Sequence, residues 1–342
     1  MPILITGGGG FVMSNLALLW LQRHPDDRAV LLDTGPQDDA LRRFLAPVAD
    51  RVTHVQASVL DTAALDRIGA EAGIDRIVHG ATISLSARRT HEGQDVADVE
   101  RDAPAAILEV NFMGTVRVLD LARRIGGLKS FVNVSSGAVY NDFGPDYPGP
   151  LPEDGWVHPP EFYGIAKQAA ERAVARYARL FGFPATSVRP SGVYGPMDRY
   201  RPTRVHYCPP YLAVHAALAG RVARVSGLDA VGDHIHAQDV CGGIIALLEQ
   251  DGYAHPVYNL AQGSAVTLRG LLEAVRAAVP GFRWVEVAPA EAEIAMDPRW
   301  TGGRWGAYDI SRLTAETGWR PRPLAQGIAD YAAFVRGFGA TA

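Results

Sequence analysis

Residues Ile3 to Asn15 read ILITGGGGFVMSN. A short apolar run enters four glycines, Gly7 to Gly10, and leaves them through a stretch of helical character. Strand, tight turn and helix in that order put backbone N–H groups and a helix N-terminus where a pyrophosphate can lie. Gly7 and Gly10 are the expected contacts, and Phe11 and Val12 open the helix. Three positions beyond Gly10, where a dinucleotide fingerprint places its last glycine, stands Met13. That glycine serves mainly close packing of helix on strand. The expectation is that the pyrophosphate contacts survive and the helix stands slightly further out, with the adaptable methionine filling the gap. The next β-rich run, VLLD, ends at Asp33. A carboxylate there accepts hydrogen bonds from ribose hydroxyls and repels a 2′-phosphate, which favours NAD over NADP. Arg42 and Arg43 lie too far downstream to weigh against this.

The whole chain sets bounds. With 342 residues it can form one large α/β domain or two closely joined ones. A net charge of -4 gives no reason to expect nucleic acid. No apolar stretch has the length of a membrane helix. The first strand begins at once, with no basic lead, so no targeting peptide is expected. Cys208 and Cys241 form neither a disulfide framework nor a zinc spacing. A reducing cytoplasm and no metal are the expectations.

Short β-rich runs at Ile3–Thr6, Ala29–Asp33, Val52–Gln56, Arg76–His79, Ser130–Ser135 and Ala185–Arg189 alternate with helical patterns. The helical candidates lie near Asn15–Arg23, Asp61–Ala72, Pro104–Ile125 and Tyr163–Phe181. The alternation predicts an α/β fold, a doubly wound parallel sheet of Rossmann type. After Arg189 the sequence becomes rich in Pro, Arg and Tyr, followed by a helical piece at Tyr211–Ala219 and a strand-then-helix pattern in HIHAQDVCGGIIALLEQ. The expected division is a NAD-binding domain of residues 1–189 with 233–260, and a smaller substrate region of 190–232 with 261–342.

Tyr163 and Lys167 are four apart at the start of a predicted helix and so share a face. With twelve tyrosines and two lysines, such a pair arises by chance only ~0.07 times in this length. A free phenol has a pKa of about 10, and a nearby ammonium stabilises its phenolate. The pair can then move a hydroxyl proton while hydride passes to or from a nicotinamide.

The order TGGGGFVMSN, VHGAT, NFMGT, VNVSSGAVY, YGIAK, VRPSGVYGP, DHIHAQDV and TGWRP resembles the extended short-chain dehydrogenase/reductases, whose largest branch is the NAD-dependent sugar epimerases and dehydratases. The resemblance covers nearly the full length. It implies Ser136, just past the fifth strand, as the group that hydrogen-bonds the reacting oxygen. Ser135 is the neighbouring rival and points into the fold if the strand alternation holds. It implies cofactor contacts at Ser58, Val59, Gly80, Ala81 and Thr82, besides Tyr163 and Lys167, and a supporting part for Asn111. Gly137 and Arg299 are implied on the substrate side, and a homodimer through helices Pro104–Ile125 and Tyr163–Phe181.

The pattern departs from the family where the substrate's nucleotide is held. Gly232 stands for an arginine, Gly192 for an asparagine, and Tyr207 near the place of another asparagine. New cations, Arg199, Arg201, Arg204 and His206, follow the sixth strand, and Arg201 and Arg204 are the candidates to grip an anionic substrate. Glu153, Asp154 and His158 in the loop before Tyr163 are possible further acid/base groups. Dehydration is disfavoured, because Gly137 and Ala138 supply no acid beside Ser136. The expected reaction is epimerase-type hydride transfer on a sugar or sugar nucleotide. The alternative is an NAD-dependent dehydrogenase of a free sugar or sugar acid, and a non-catalytic NAD-binding regulator stands behind both.

Overall fold

The computed structural model describes residues 2–71, 73–84, 98–140, 149–155, 157–199, 207–296 and 306–339. Six strands, β1 (Pro2–Thr6), β2 (Arg28–Asp33), β3 (Val52–Gln56), β4 (Arg76–His79), β5 (Ser130–Val134) and β6 (Ala185–Pro190), lie within one residue of the runs read from sequence. A seventh, Val257–Leu260, completes the sheet in the order Val257–Leu260, β6, β5, β4, β1, β2, β3. Every pairing is parallel. The chain winds outward from β1 to β3, then crosses back to β4 on the other side of β1. The crevice at that reversal is where ligands bind in such sheets.

Apart from the edge strand β3, the sheet is buried on both faces, which explains its apolar runs. Ile3 and Ile5 face a core shared with Leu16 and Trp20 of the Phe11–Arg23 helix and Val240 and Ile244 of the Ala237–Leu248 helix. Leu4 faces the opposite core, with Val118 and Leu119 of the Gly114–Ile125 helix and Val174 of the Phe162–Phe181 helix. The first helix begins at Phe11, directly on the glycine turn and four residues before the expected start. The expected Pro104–Ile125 helix is broken by a π-turn, Glu109–Met113.

A separate core gathers Tyr211, Val214, Val225, Leu272 and Ile328. They come from the Pro209–Leu218, Leu268–Ala278 and Leu324–Gly339 helices and the Val222–Ser226 strand. Between the two bodies of packing, Gly192–Tyr194 pairs in parallel with His234–His236. No described helix is long and apolar enough to cross a membrane. Among the described residues no cluster of three potential metal ligands occurs.

Candidate active site

A cavity of about 570 Å³ opens at the carboxyl ends of the central strands. Its wall takes Gly7, Gly10, Phe11 and Val12 after β1, Asp33 at the end of β2, and Ser58 and Val59 after β3. It continues through Gly80, Ala81 and Thr82 after β4, Ser136 after β5, and Tyr163 and Lys167 from the helix Phe162–Phe181. Residues 160 positions apart, Gly7 and Lys167, thus meet at one crevice. Asn111 and Gly137, expected on the cofactor and substrate sides, are not among the residues of this wall. Arg201, Arg204 and His206 and also Arg299 fall outside the described residues.

Gly7 has φ +70°, and a Cβ there would fall 2.9 Å from the Ala81 backbone. Only glycine combines that conformation with that approach. The Gly10 N–H closes the turn on the Gly7 carbonyl at 2.8 Å. Asp33 receives the Gly9 N–H on one oxygen and the Gly35 N–H on the other, both at 2.9 Å. Each oxygen keeps acceptor capacity for a ribose hydroxyl. Arg42 pairs with Asp39, and Arg43 donates to the Phe338 carbonyl, so neither turns towards Asp33. Met13 is 3% exposed, and a Cβ on Gly80 would lie 2.5 Å from its sulfur. The room for the thioether therefore comes from the missing side chain at Gly80, not simply from an outward shift of the helix.

A buried chain of hydrogen bonds fixes this floor. Thr115 Oγ1 donates to the Asn111 carbonyl at 2.8 Å. It is left to accept from His79 Nε2 at 3.0 Å, so His79 Nδ1 accepts from Thr6 Oγ1 at 2.7 Å. Thr6 Oγ1 in turn accepts the Gly80 and Ala81 N–H groups, each at 3.2 Å. His79 stays neutral, its pKa pushed down to about 3 by burial and further by the Lys167 charge. The Asn111 side chain, carried on the π-turn, clamps Ile83 through both its N–H (2.8 Å) and its carbonyl (2.9 Å). These partners gave no local signal beyond the motifs VHGAT and NFMGT.

Lys167 is buried, and its Nζ donates to the Val134 carbonyl at 2.8 Å. Burial lowers its pKa to about 8, against the opposing pull of Glu171 one helical turn on. The ammonium lies 5.8 Å from the centre of the Tyr163 ring. Ser135 donates to Glu171 at 2.5 Å, and Ser136 accepts the Ala138 N–H on its Oγ; both serines belong to the cavity wall. Glu171 also takes two hydrogen bonds from Arg189, at 2.8 and 2.6 Å, in a pair each 5% exposed.

Other expected groups are engaged elsewhere. Arg199 lines the cavity but is held bidentately by Asp38, at 2.8 and 2.9 Å. Glu153 accepts the Asn259 N–H and faces Arg312, which also pairs with Asp154. None of Glu153, Asp154 and His158 is in the cavity wall. Gly137 packs under Tyr308, whose hydroxyl would lie 1.9 Å from a Cβ at that position. No side chain fits there. Sequence reading also passed over Met197, which lines the cavity with φ +66°, a conformation rare outside glycine.

Comparison with known proteins gives the family and the fold. The NAD dependent epimerase/dehydratase family matches residues 3–261. A UDP-glucose 4-epimerase of Mycolicibacterium smegmatis is 30% identical over 342 residues, covering 98% of this chain and 99% of its own. A dTDP-glucose 4,6-dehydratase of the same organism is 28% identical, covering 94% of this chain and 88% of its own. The crystal structure of a UDP-glucuronic acid 4-epimerase from Bacillus cereus in complex with NAD superimposes with a TM-score of 0.75 at 20% identity, over 100% and 99% of the two chains. The chain belongs to the NAD dependent epimerase/dehydratase family of enzymes.

Proposed function

We propose that this enzyme oxidises and re-reduces a secondary alcohol carbon of a carbohydrate, an epimerase-type reaction with NAD as its cofactor. The carrying observation is that Ser136, Tyr163 and Lys167 share one cavity with Gly7, Gly10 and Asp33. When bound, NAD supplies the hydride acceptor and donor. Gly7 and Gly10 leave room for the pyrophosphate, and Asp33 takes the ribose hydroxyls. Ser136 Oγ orients the substrate oxygen. Tyr163 takes the hydroxyl proton as the carbon loses hydride, and returns it when hydride is delivered to the other face. Lys167 holds positive charge beside the phenol and favours its ionised form.

The bare Gly137 argues against dehydration, since Tyr308 fills the place an acid would need. A second reading, net oxidation of a free sugar or sugar acid with release of NADH, draws support from Gly192 and Gly232, which offer no side chain to a nucleotide. In either reading we assign residues 190–232 and 261–342 to substrate binding, with Arg201, Arg204 and Arg299 as candidate anion contacts. We also propose a cytoplasmic homodimer. Met113, Phe162, Ile165, Leu180 and Phe181 leave an apolar surface exposed on the two helices that would pair.

The test is to denature purified protein, assay the released NAD, and follow sugars and nucleotide sugars for epimer formation and NADH. Interconversion of epimers without NADH accumulation supports the first reading, and NADH accumulation the second. Absence of both NAD binding and hydride transfer would contradict them together.

A further inference from the structure

Residues Gly195 to Asp198 form a turn, closed by the Asp198 N–H on the Gly195 carbonyl at 3.2 Å. Pro196 stands second in it and Met197 third, with φ +66°. Proline followed by a positive φ is the pattern of a type II turn, where glycine usually takes the third place. Holding another residue there costs about 1–3 kcal/mol and requires surroundings that fix it. Asn15 supplies part of them. Fully buried in the helix that begins at the glycine turn, it gives Nδ2 to the Phe11 carbonyl at 2.9 Å and to the Pro196 carbonyl at 2.8 Å. Met197 packs in one core with Phe11 and Met13 and also lines the cavity.

Two residues further on, Arg199 belongs to the same cavity wall as Asp33 and Thr34 at the end of β2. Its guanidinium meets Asp38 at two points, 2.8 and 2.9 Å, across 161 positions of sequence. Two-point geometry fixes a guanidinium more firmly than a single contact. The Asp38 carboxylate is itself held, accepting the Leu41 N–H at 2.9 Å. The two side chains are 30% and 39% exposed, which puts the ion pair at the boundary with solvent. One segment that follows Gly192–Tyr194 is therefore fastened to the cofactor side twice, by Asn15 in the core and by Asp38 nearer the surface. An epimerase-type reaction needs the reduced cofactor to stay in place until the hydride is returned. A wall that must part before the cofactor leaves slows its departure more than its arrival.

We propose that Asp38 is a positioning residue for the cofactor: by pinning Arg199 in the cavity wall it keeps NAD from leaving between the two hydride transfers. The proposal rests on the NAD reading of the cavity and adds the pair that sets how long the cofactor stays.

The test follows release of radiolabelled NAD from the loaded protein into excess unlabelled NAD, at low salt and at about 0.5 M salt. Asp38→Asn keeps the shape and capping ability of the side chain but removes its charge, and should speed release about fivefold or more. Arg199→Gln should speed it as much, and the double variant no more than either single one, as members of one pair do. Raising salt should quicken release from the wild type and change it little in the variants, because salt screens an ion pair near solvent. Equal release from the wild type and Asp38→Asn would overturn the proposal. So would faster release in Arg199→Gln alone, which would make Arg199 a direct cofactor contact, or strictly additive effects of the two substitutions. A lower melting temperature with unchanged release would assign the pair to packing. NAD held equally long by all four proteins would remove the proposal and leave the cofactor reading standing, whereas a wild type that binds no NAD would remove both.

Discussion

Beneath the glycine turn, Thr6, His79 and Thr115 satisfy one another and the Gly80 and Ala81 amides. Beside Gly192, the rings of His234 and His236 leave three nitrogens between them without a partner among the described residues. Both regions are buried. The first spends its polar groups on holding a backbone shape, so the surface offered to the cofactor is rigid before anything binds. The second leaves hydrogen-bonding capacity unspent, at a cost that the surrounding packing must offset. A shared cofactor suits the first design.

The buried ion pair between the two regions gives the largest effect. Glu171 receives Ser135 and Arg189 and sits one turn from Lys167. Glu171→Gln should cost about 3–5 kcal/mol in urea unfolding, because the Arg189 charge stays buried without its partner. It should also lower the pH at which activity falls on the alkaline side, since Glu171 raises the Lys167 pKa. A loss under about 1 kcal/mol with an unmoved pH profile would separate the pair from both regions.

The rigidity of the cofactor side can be probed through Met13 and Gly80. Met13→Ala should cost about 2–3 kcal/mol by opening a cavity. Gly80→Ala alone should also destabilise, with its Cβ 2.5 Å from the Met13 sulfur. The double variant should lose less than the sum by about 1 kcal/mol or more, as contacting residues do. Strict additivity in denaturant titrations would mean the two side chains do not compete for one space.

A smaller effect comes from pH. Burial chiefly depresses the pKa of His79 to about 3, His234 to about 4 and His236 to about 3. Between about pH 4 and the unfolded value of about 6.5, the unfolded chain binds more protons than the folded one, so stability rises with pH and levels off above 6.5. Each ring contributes up to about 1.4 kcal/mol per pH unit in that window. Melting curves from pH 4.5 to 8 should show this rise, and His234→Phe should flatten it. A melting temperature independent of pH below 6.5 would mean the rings are solvated.

The strands were legible because burial on both faces writes them as dense apolar runs between turns. The Val257–Leu260 strand was harder, four residues between turn-rich stretches with too short a pattern to show a period. Tyr163, Lys167 and the glycines could be read because their spacing is local. His79, Glu171 and Tyr308 could not, since their meaning depends on partners brought from β1, β6 and Gly137 by the fold. Met13 looked like a defect in the fingerprint until Gly80, 67 positions later, was seen to yield the space. Complementary pairs of this kind leave no trace in either local segment.

The most direct measurement is turnover of Tyr163→Phe alongside its NAD affinity. If the phenol moves the substrate proton, turnover should fall by about 10²–10⁴-fold while NAD binding changes by no more than about twofold. Wild-type turnover in that variant would contradict the placement of proton transfer at Tyr163.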